Sequence, residues 1–316
     1  MSAPTVGPTT APTTGPTAGP TTAPSRPRAP RRAPRPATRP DERVAPLASA
    51  LTMLALVCLW PAAQLLFLGS LTHERAQELL YRDLRTQLAA ATAPVGPVVP
   101  AGDPVALVRI PRLGLEEVVI EGTASGDTTA GPGHRRDTVL PGQVGTSVVY
   151  GRAATYGGPF RDLPELRVGD AVEVTMAQGS VTFDVIGLRR AGDPLPPPAA
   201  AGAARLTLVT AEGDGRFGAV RPRDAVYLDA EAAEGFPAPP GRPTAVPDSE
   251  RALASDPAAL PLLALHLAVL VALVLGVLAA RQRWSTAVVW LVACPLALAV
   301  SWATTDVAVR LLPNVL

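Results

Sequence analysis

The sequence predicts an all-β domain held at a membrane by three apolar helices and preceded by a disordered tail. Three observations carry this. Apolar runs cover residues 47–68, 260–280 and 286–303, each close to the length needed to cross a bilayer. Short Val/Leu/Ile strands, punctuated by Gly, Pro and Asp, fill residues 103–231. Proline recurs at 4, 8, 12, 16, 20 and 24.

The chain has 316 residues, is 47% hydrophobic and 17% charged, and carries a formal charge of +1. Residues 1–46 form the tail. Proline at every fourth position forbids a helix, and the Thr, Ala and Gly between supply no core. Seven arginines against Asp41 and Glu42 give the tail +5, leaving −4 for the rest. A basic nucleic-acid-binding domain is thereby excluded, because the positive charge belongs to the tail. It serves as a topology signal, and anionic lipid heads are its natural partner. The two cysteines, Cys58 and Cys294, lie in apolar runs, which excludes a disulfide-built domain.

The first span, 47–69, reads as an uncleaved signal-anchor, since no small-residue cleavage site precedes Thr72-His73-Glu74-Arg75. The others are expected at 260–280 and 285–304, with Arg281 and Arg283 between them and a C-terminal tail at 305–316. Positive residues favour the cytoplasm. The expected topology is therefore a multi-pass plasma-membrane protein with a cytoplasmic N-terminus and residues 70–259 outside. His266 in the second span has no acidic partner there and is expected to bond a neighbouring helix. Ala264, Ala268, Ala272 and Gly276 offer a small-residue helix-packing face.

Residues 70–102 read as a helical stalk and linker, with Leu80, Leu84 and Leu88 on one stripe, Glu78 and Arg82 paired at i,i+4, and prolines from Pro94 onward. Strands follow around Val105–Ile110, Val118–Ile120, Val148–Tyr150 and Val172–Val174. Val181–Val185 closes a hairpin at Gln178-Gly179, and Leu206–Thr210 and Ala225–Leu228 are the last two. Short strands without long helices argue a closed barrel or a sandwich. A Pro-rich linker, 232–259, leads back to the membrane.

Several strings in this domain resemble one family. Ile110-Pro111-Arg112-Leu113-Gly114-Leu115 with Val119-Ile120-Glu121-Gly122 looks like the opening of the sortase barrel. Gly131-Pro132-Gly133-His134 and Leu140-Pro141-Gly142 resemble its next segment. Val149-Tyr150-Gly151-Arg152, followed by Thr155-Tyr156-Gly157 and Pro159-Phe160, is similar to the stretch carrying the sortase histidine. Leu163, Leu166, Gly169 and Asp170 continue the likeness, and Leu206-Thr207-Leu208-Val209-Thr210-Ala211 matches the strand carrying the sortase cysteine. The resemblance covers residues 103–231, in order. It implies a sortase-like β-barrel, a Gram-positive type cell surface, no cofactor and no metal.

Sortases attack a peptide carbonyl with a cysteine thiolate, helped by a histidine and by a cation over the developing oxyanion. The resemblance puts Arg152 at the family histidine and Ala211 at the family cysteine. Alanine has no nucleophilic atom, and arginine is no base near neutral pH. Loss of such a nucleophile costs about six orders of magnitude in turnover. No catalytic residue is therefore assigned. Candidate binding residues are Arg152, Arg221, Arg223, Thr210 and Tyr156, with either Arg221 or Arg223 at the family arginine. Beside Arg152, such an arginine would make a cleft for carboxylate or phosphate. Alternatively Glu212 or Asp214 pairs with Arg152 and fills the site. Thr207 and Thr210 are expected as strand residues, and His134 as a structural histidine.

Three readings follow. A pseudo-sortase at the cell surface binds a peptide or protein partner, or acts as a scaffold. An active transpeptidase uses displaced groups. A membrane-complex subunit carries the barrel as a structural cap. An apolar groove floored by Ala211 favours the first, and a site plugged by an Arg152–Glu212 pair favours the third.

Overall fold

The computed structural model describes residues 59–61, 63–96, 98–213, 223–280 and 283–316. The tail and most of the first span lie outside the described residues, as do Asp214, Arg221 and Arg281.

Eight strands close a barrel in the order β1-β2-β3-β4-β7-β8-β6-β5. They are β1 (Pro104–Ile110), β2 (Leu115–Glu121), β3 (Gly133–His134), β4 (Gly145–Tyr150), β5 (Ala171–Met176), β6 (Gly179–Arg190), β7 (Ala204–Glu212) and β8 (Asp224–Ala232). Alternation explains the outer strands: in β5, Val172, Val174 and Met176 are buried while the residues between them are partly exposed. β7 is buried from Ala204 through Ala211, as a strand covered on both faces must be. The core gathers Val108, Ile110, Val119, Phe160, Val174, Phe183, Leu206, Leu208 and Leu228. The strand β3 lay beyond the sequence reading. It is two residues long, parallel to β2 and antiparallel to β4.

Among the described residues three helices accompany the barrel: α1 (Gly69–Ala89), α2 (Leu260–Ala280) and α3 (Thr286–Val309). The barrel domain expected from the sequence is present, but with these helices the chain overall is not all-β. A π-helical turn, Gln64–Leu68, runs directly into α1. Of the leucine stripe on α1, Leu84 is the member fully buried. The stalk is held to the barrel by Gln77, whose amide donates to Val118 O (3.2 Å) and Ala130 O (2.9 Å) and accepts from Val118 N (2.7 Å). His73 adds a contact to Glu117, Nε2 to Oε2 at 3.1 Å.

Two helices among the described residues, not three, are long and apolar enough to cross a membrane, over Pro257–Val277 and Ala287–Val309. Leu265, Val271, Leu275, Leu291 and Val292 stand exposed on them. Ala272 and Gly276 line the seam between α2 and α3, facing Val289, Ala293 and Leu296. His266 bonds its own helix, Nδ1 lying 2.8 Å from Leu262 O, rather than a neighbour. A polar side chain in an apolar helix can satisfy itself on a carbonyl one turn back.

The segments taken as linker and tail are both bound to the barrel. Phe236 makes an isolated bridge with Gln143, Glu250 is buried against the Arg136 guanidinium, and residues 313–316 dock on the barrel wall.

Candidate functional site

Parallel pairing of β4 with β7 runs from Gly145 opposite Ala204 to Tyr150 opposite Val209. Gly151 N continues the ladder to Val209 O at 2.9 Å. Positions 152 and 211 therefore leave the barrel at the same end of adjacent strands. Glycine is required at 151: a Cβ there would lie 2.2 Å from the ring of Phe160, which is fully buried.

Arg152 is the largest fully buried side chain among the described residues, 0% exposed. Its guanidinium donates from Nε to Thr128 O (3.2 Å), from Nη1 to Thr155 Oγ1 (2.9 Å), and from Nη2 to Ser125 O (2.6 Å) and Ser125 Oγ (3.0 Å). Its charge lies 5.3 Å from the centre of the Tyr156 ring. Burial lowers its pKa to about 10, so it remains a cation at neutral pH. Tyr156 has positive φ (52°), and its hydroxyl meets Asp306 of α3. Burial first, then the Asp306 charge, push the phenol up to about 12. Asp306 in turn accepts from Gln64 Nε2 at 3.3 Å. A polar chain thus runs from the barrel site to two helices.

The carboxylate expected to fill the site does not. Glu212 takes Arg190 in a two-pronged pair, Nε to Oε2 at 2.6 Å and Nη2 to Oε1 at 3.0 Å. Successive strand residues face opposite ways, so Glu212 points away from the side on which Ala211 is buried. The two-arginine cleft is also not formed by the groups described. Arg223 is exposed, its backbone N–H donating to Glu212 O at 3.0 Å, while the donors of Arg152 face inward. Arg221 lies outside the described residues.

Thr207 donates to Asp229 Oδ1 at 2.7 Å. Thr210 is buried and its hydroxyl makes no hydrogen bond among the described residues. His134, also buried, holds Glu121 Oε2 at 2.7 Å through Nδ1 and Val139 O at 2.8 Å through Nε2. No metal-binding cluster occurs among the described residues.

Sequence reasoning missed what occupies the cleft. Val315 packs in one apolar cluster with Tyr150, Ala153, Val209, Ala211 and Ala225. Ala153 N donates to Val315 O (3.0 Å) and Thr155 N to Leu316 O (3.1 Å). The only sequence signal was the change from apolar helix to Leu312-Pro313-Asn314, which marks a turn and nothing more.

Fold and site define a closed β-barrel domain with its cleft at the joint end of two parallel strands. Residues 108–214 match the family model of the sortase domain. Sortase D of Bacillus subtilis (strain 168) is 30% identical over 80 residues, which are 25% of this chain and 39% of that relative. The chain therefore spans well under half the length of that relative. Among solved structures, a Sortase D5 transpeptidase of Clostridium perfringens is 18% identical, with a TM-score of 0.41 over 52% of this chain and 99% of that one. The SrtA sortase of Actinomyces oris is 25% identical (TM-score 0.38, 44% and 85% covered). A sortase E variant of Streptomyces avermitilis is 28% identical (TM-score 0.35, 48% and 100% covered).

Proposed function

We propose that this protein is a membrane-anchored pseudo-sortase: a sortase-type barrel at the cell surface that has lost transpeptidation and serves as a binding or scaffolding partner. One observation carries the reading. At the joint end of β4 and β7, where the chemistry needs a thiol and a proton carrier, stand a methyl group and a sealed guanidinium. Neither supplies a nucleophile or a base. The hydroxyl of Thr210 is buried and has no hydrogen-bond partner among the described residues, which speaks against it as a displaced nucleophile.

The membrane part of the reading draws on the two apolar helices and on the arginine-rich tail. The orientation follows the positive residues, with the barrel outside and Arg283 inside. Two crossings return residues 310–316 to the side of the barrel, where they dock. A partner role at the surface and a structural cap on the helices share this geometry and both exclude turnover.

The test uses the full chain in detergent micelles with sorting-signal peptides. No hydrolysis and no covalent capture by an electrophilic peptide analogue are expected. Turnover by the unaltered chain overturns the reading.

A further inference from the structure

We propose that the cleft is a peptide-binding site whose resident ligand is the chain's own segment 313–316, and that Arg152 organises it. This deepens the pseudo-sortase reading and rests on it, since a cleft kept for turnover would not be closed by the chain's own segment.

Three consecutive carbonyls of the segment are gripped. Asn314 O accepts from Thr128 Oγ1 at 2.7 Å, Val315 O from Ala153 N at 3.0 Å, and Leu316 O from Thr155 N at 3.1 Å and Thr155 Oγ1 at 2.6 Å. The segment is a tight turn, Leu316 N donating to Pro313 O at 3.1 Å; main-chain bonds to its carbonyls give affinity, while side-chain pockets select. Two pockets do so here. The Asn314 amide spends both protons on Thr123 O (2.7 Å) and Arg251 O (2.9 Å). Val315, 0% exposed, fills the apolar pocket floored by Ala211 and Ala225. The preferred ligand is a turn-forming peptide with a carboxamide side chain followed by a small aliphatic one.

Arg152 sets the direction of the grip. A guanidinium only donates, and a hydroxyl has a single proton. Thr155 Oγ1 accepts from Arg152, so its proton goes to Leu316 O. Ser125 Oγ accepts from Arg152 likewise and donates to Val309 O at 2.9 Å. The third hydroxyl, Thr128, is placed through its carbonyl, which Arg152 Nε holds. Arginine at the former histidine position thus aims three hydroxyls at residues 309–316.

The probe is a fluorescent, end-capped hexapeptide of residues 311–316, titrated onto the full chain and onto a chain lacking residues 313–316, both in micelles. The shortened chain is expected to bind at least tenfold more tightly than the intact one, whose site is filled. Peptides carrying Asn314→Ala or Val315→Asp should bind at least tenfold more weakly. A shortened chain that melts like the intact one and binds no better overturns the proposal, as does equal binding of the altered peptides. Should the shortened chain not fold, Val315→Asp in the full chain replaces it. There the Ala153 and Thr155 amides are expected to exchange hydrogen at least tenfold faster, and excess probe to restore protection. Exchange indifferent to the probe overturns the proposal. Cleavage of the probe would sink the inactive-enzyme reading and leave the binding site standing; absence of binding does the reverse.

Discussion

The Nη1 atom of Arg152 donates to Thr155 Oγ1 at 2.9 Å, and the same hydroxyl donates onward to Leu316 O at 2.6 Å. Two residues three apart in sequence thereby tie the barrel to a segment more than 150 residues away. Arg152 also donates to the buried carbonyls of Ser125 and Thr128, and among the described residues Ser125 O otherwise has only a long bond of 3.4 Å from Thr128 Oγ1. Removing it leaves buried acceptors unpaired, at about 1–3 kcal/mol each. Arg152→Met is therefore expected to cost about 3 kcal/mol or more and to lower Tm by roughly 6–12 °C. Arg152→Lys should restore little of this, because an ammonium lacks the fork that reaches three partners. Melting of the three chains in one detergent checks it; a lysine chain as stable as the parent refutes the fork argument.

Burial of Ala211 beside Val315 makes a second prediction, readable by chemistry rather than stability. Ala211 is 5% exposed and shares its apolar cluster with Val315. A thiol introduced as Ala211→Cys should resist alkylation in the full chain. Deleting residues 313–316 should raise the modification rate at least tenfold, with Cys58 and Cys294 replaced or followed separately by mass. Equal rates would mean that the segment does not cover position 211.

Much of the barrel could be read in the sequence, because period-two burial is a local property. Val172 and Val174 in β5 and the long apolar run of β7 announced themselves. β3 did not: two residues, Gly133 and His134, carry no period, and their strand character comes from neighbours on both sides. Likeness to a family singled out Arg152 and Ala211, and the β4–β7 pairing brings the two positions to one end of adjacent strands. Their surroundings were not. Glu212 seemed a partner for Arg152 by proximity in sequence, yet strand alternation turned it to Arg190. Residues 305–316 looked like a tail because their bonds lie with Thr123, Thr128 and Thr155, at sequence separations that no pattern encodes.

Gly151 supplies a steric prediction. Its Cβ would meet the Phe160 ring at 2.2–2.7 Å, and the ring is walled in by the core. Gly151→Ala should destabilise by about 2–3 kcal/mol through overpacking. Phe160→Leu alone loses packing, but in combination it gives the new methyl group space. The double variant is expected to fall short of the summed losses by at least about 1 kcal/mol. Additive losses would locate the strain elsewhere.

Topology is tested by labelling from outside the cell. Val168 stands 74% exposed on the barrel, and Arg283 lies between α2 and α3. In a chain with Cys58 and Cys294 replaced by alanine, Val168→Cys should react with a membrane-impermeant maleimide on intact cells. Arg283→Cys should react only after the cells are opened. The reverse pattern would invert the orientation drawn from the positive residues.

The stalk clamp between His73 and Glu117 should depend on pH. Burial lowers the imidazole pKa, but hydrogen bonding and charge from Glu117 outweigh it, and the net shift is upward from 6.5. A group raised in the folded state binds its proton more tightly there than in the unfolded chain. Its stabilisation is fully present below about pH 6.5 and is lost as pH rises through the folded value. His73→Gln keeps a polar group without the titration. The Tm gap between parent and His73→Gln is expected to be widest near pH 6 and to shrink steadily toward pH 9. Because Glu117 sits on β2 and His73 on α1, exchange of the Gln77-held amide of Val118 should quicken over the same interval. A gap constant across that range would show that the imidazole is bound as a neutral ring and that the clamp is not ionic.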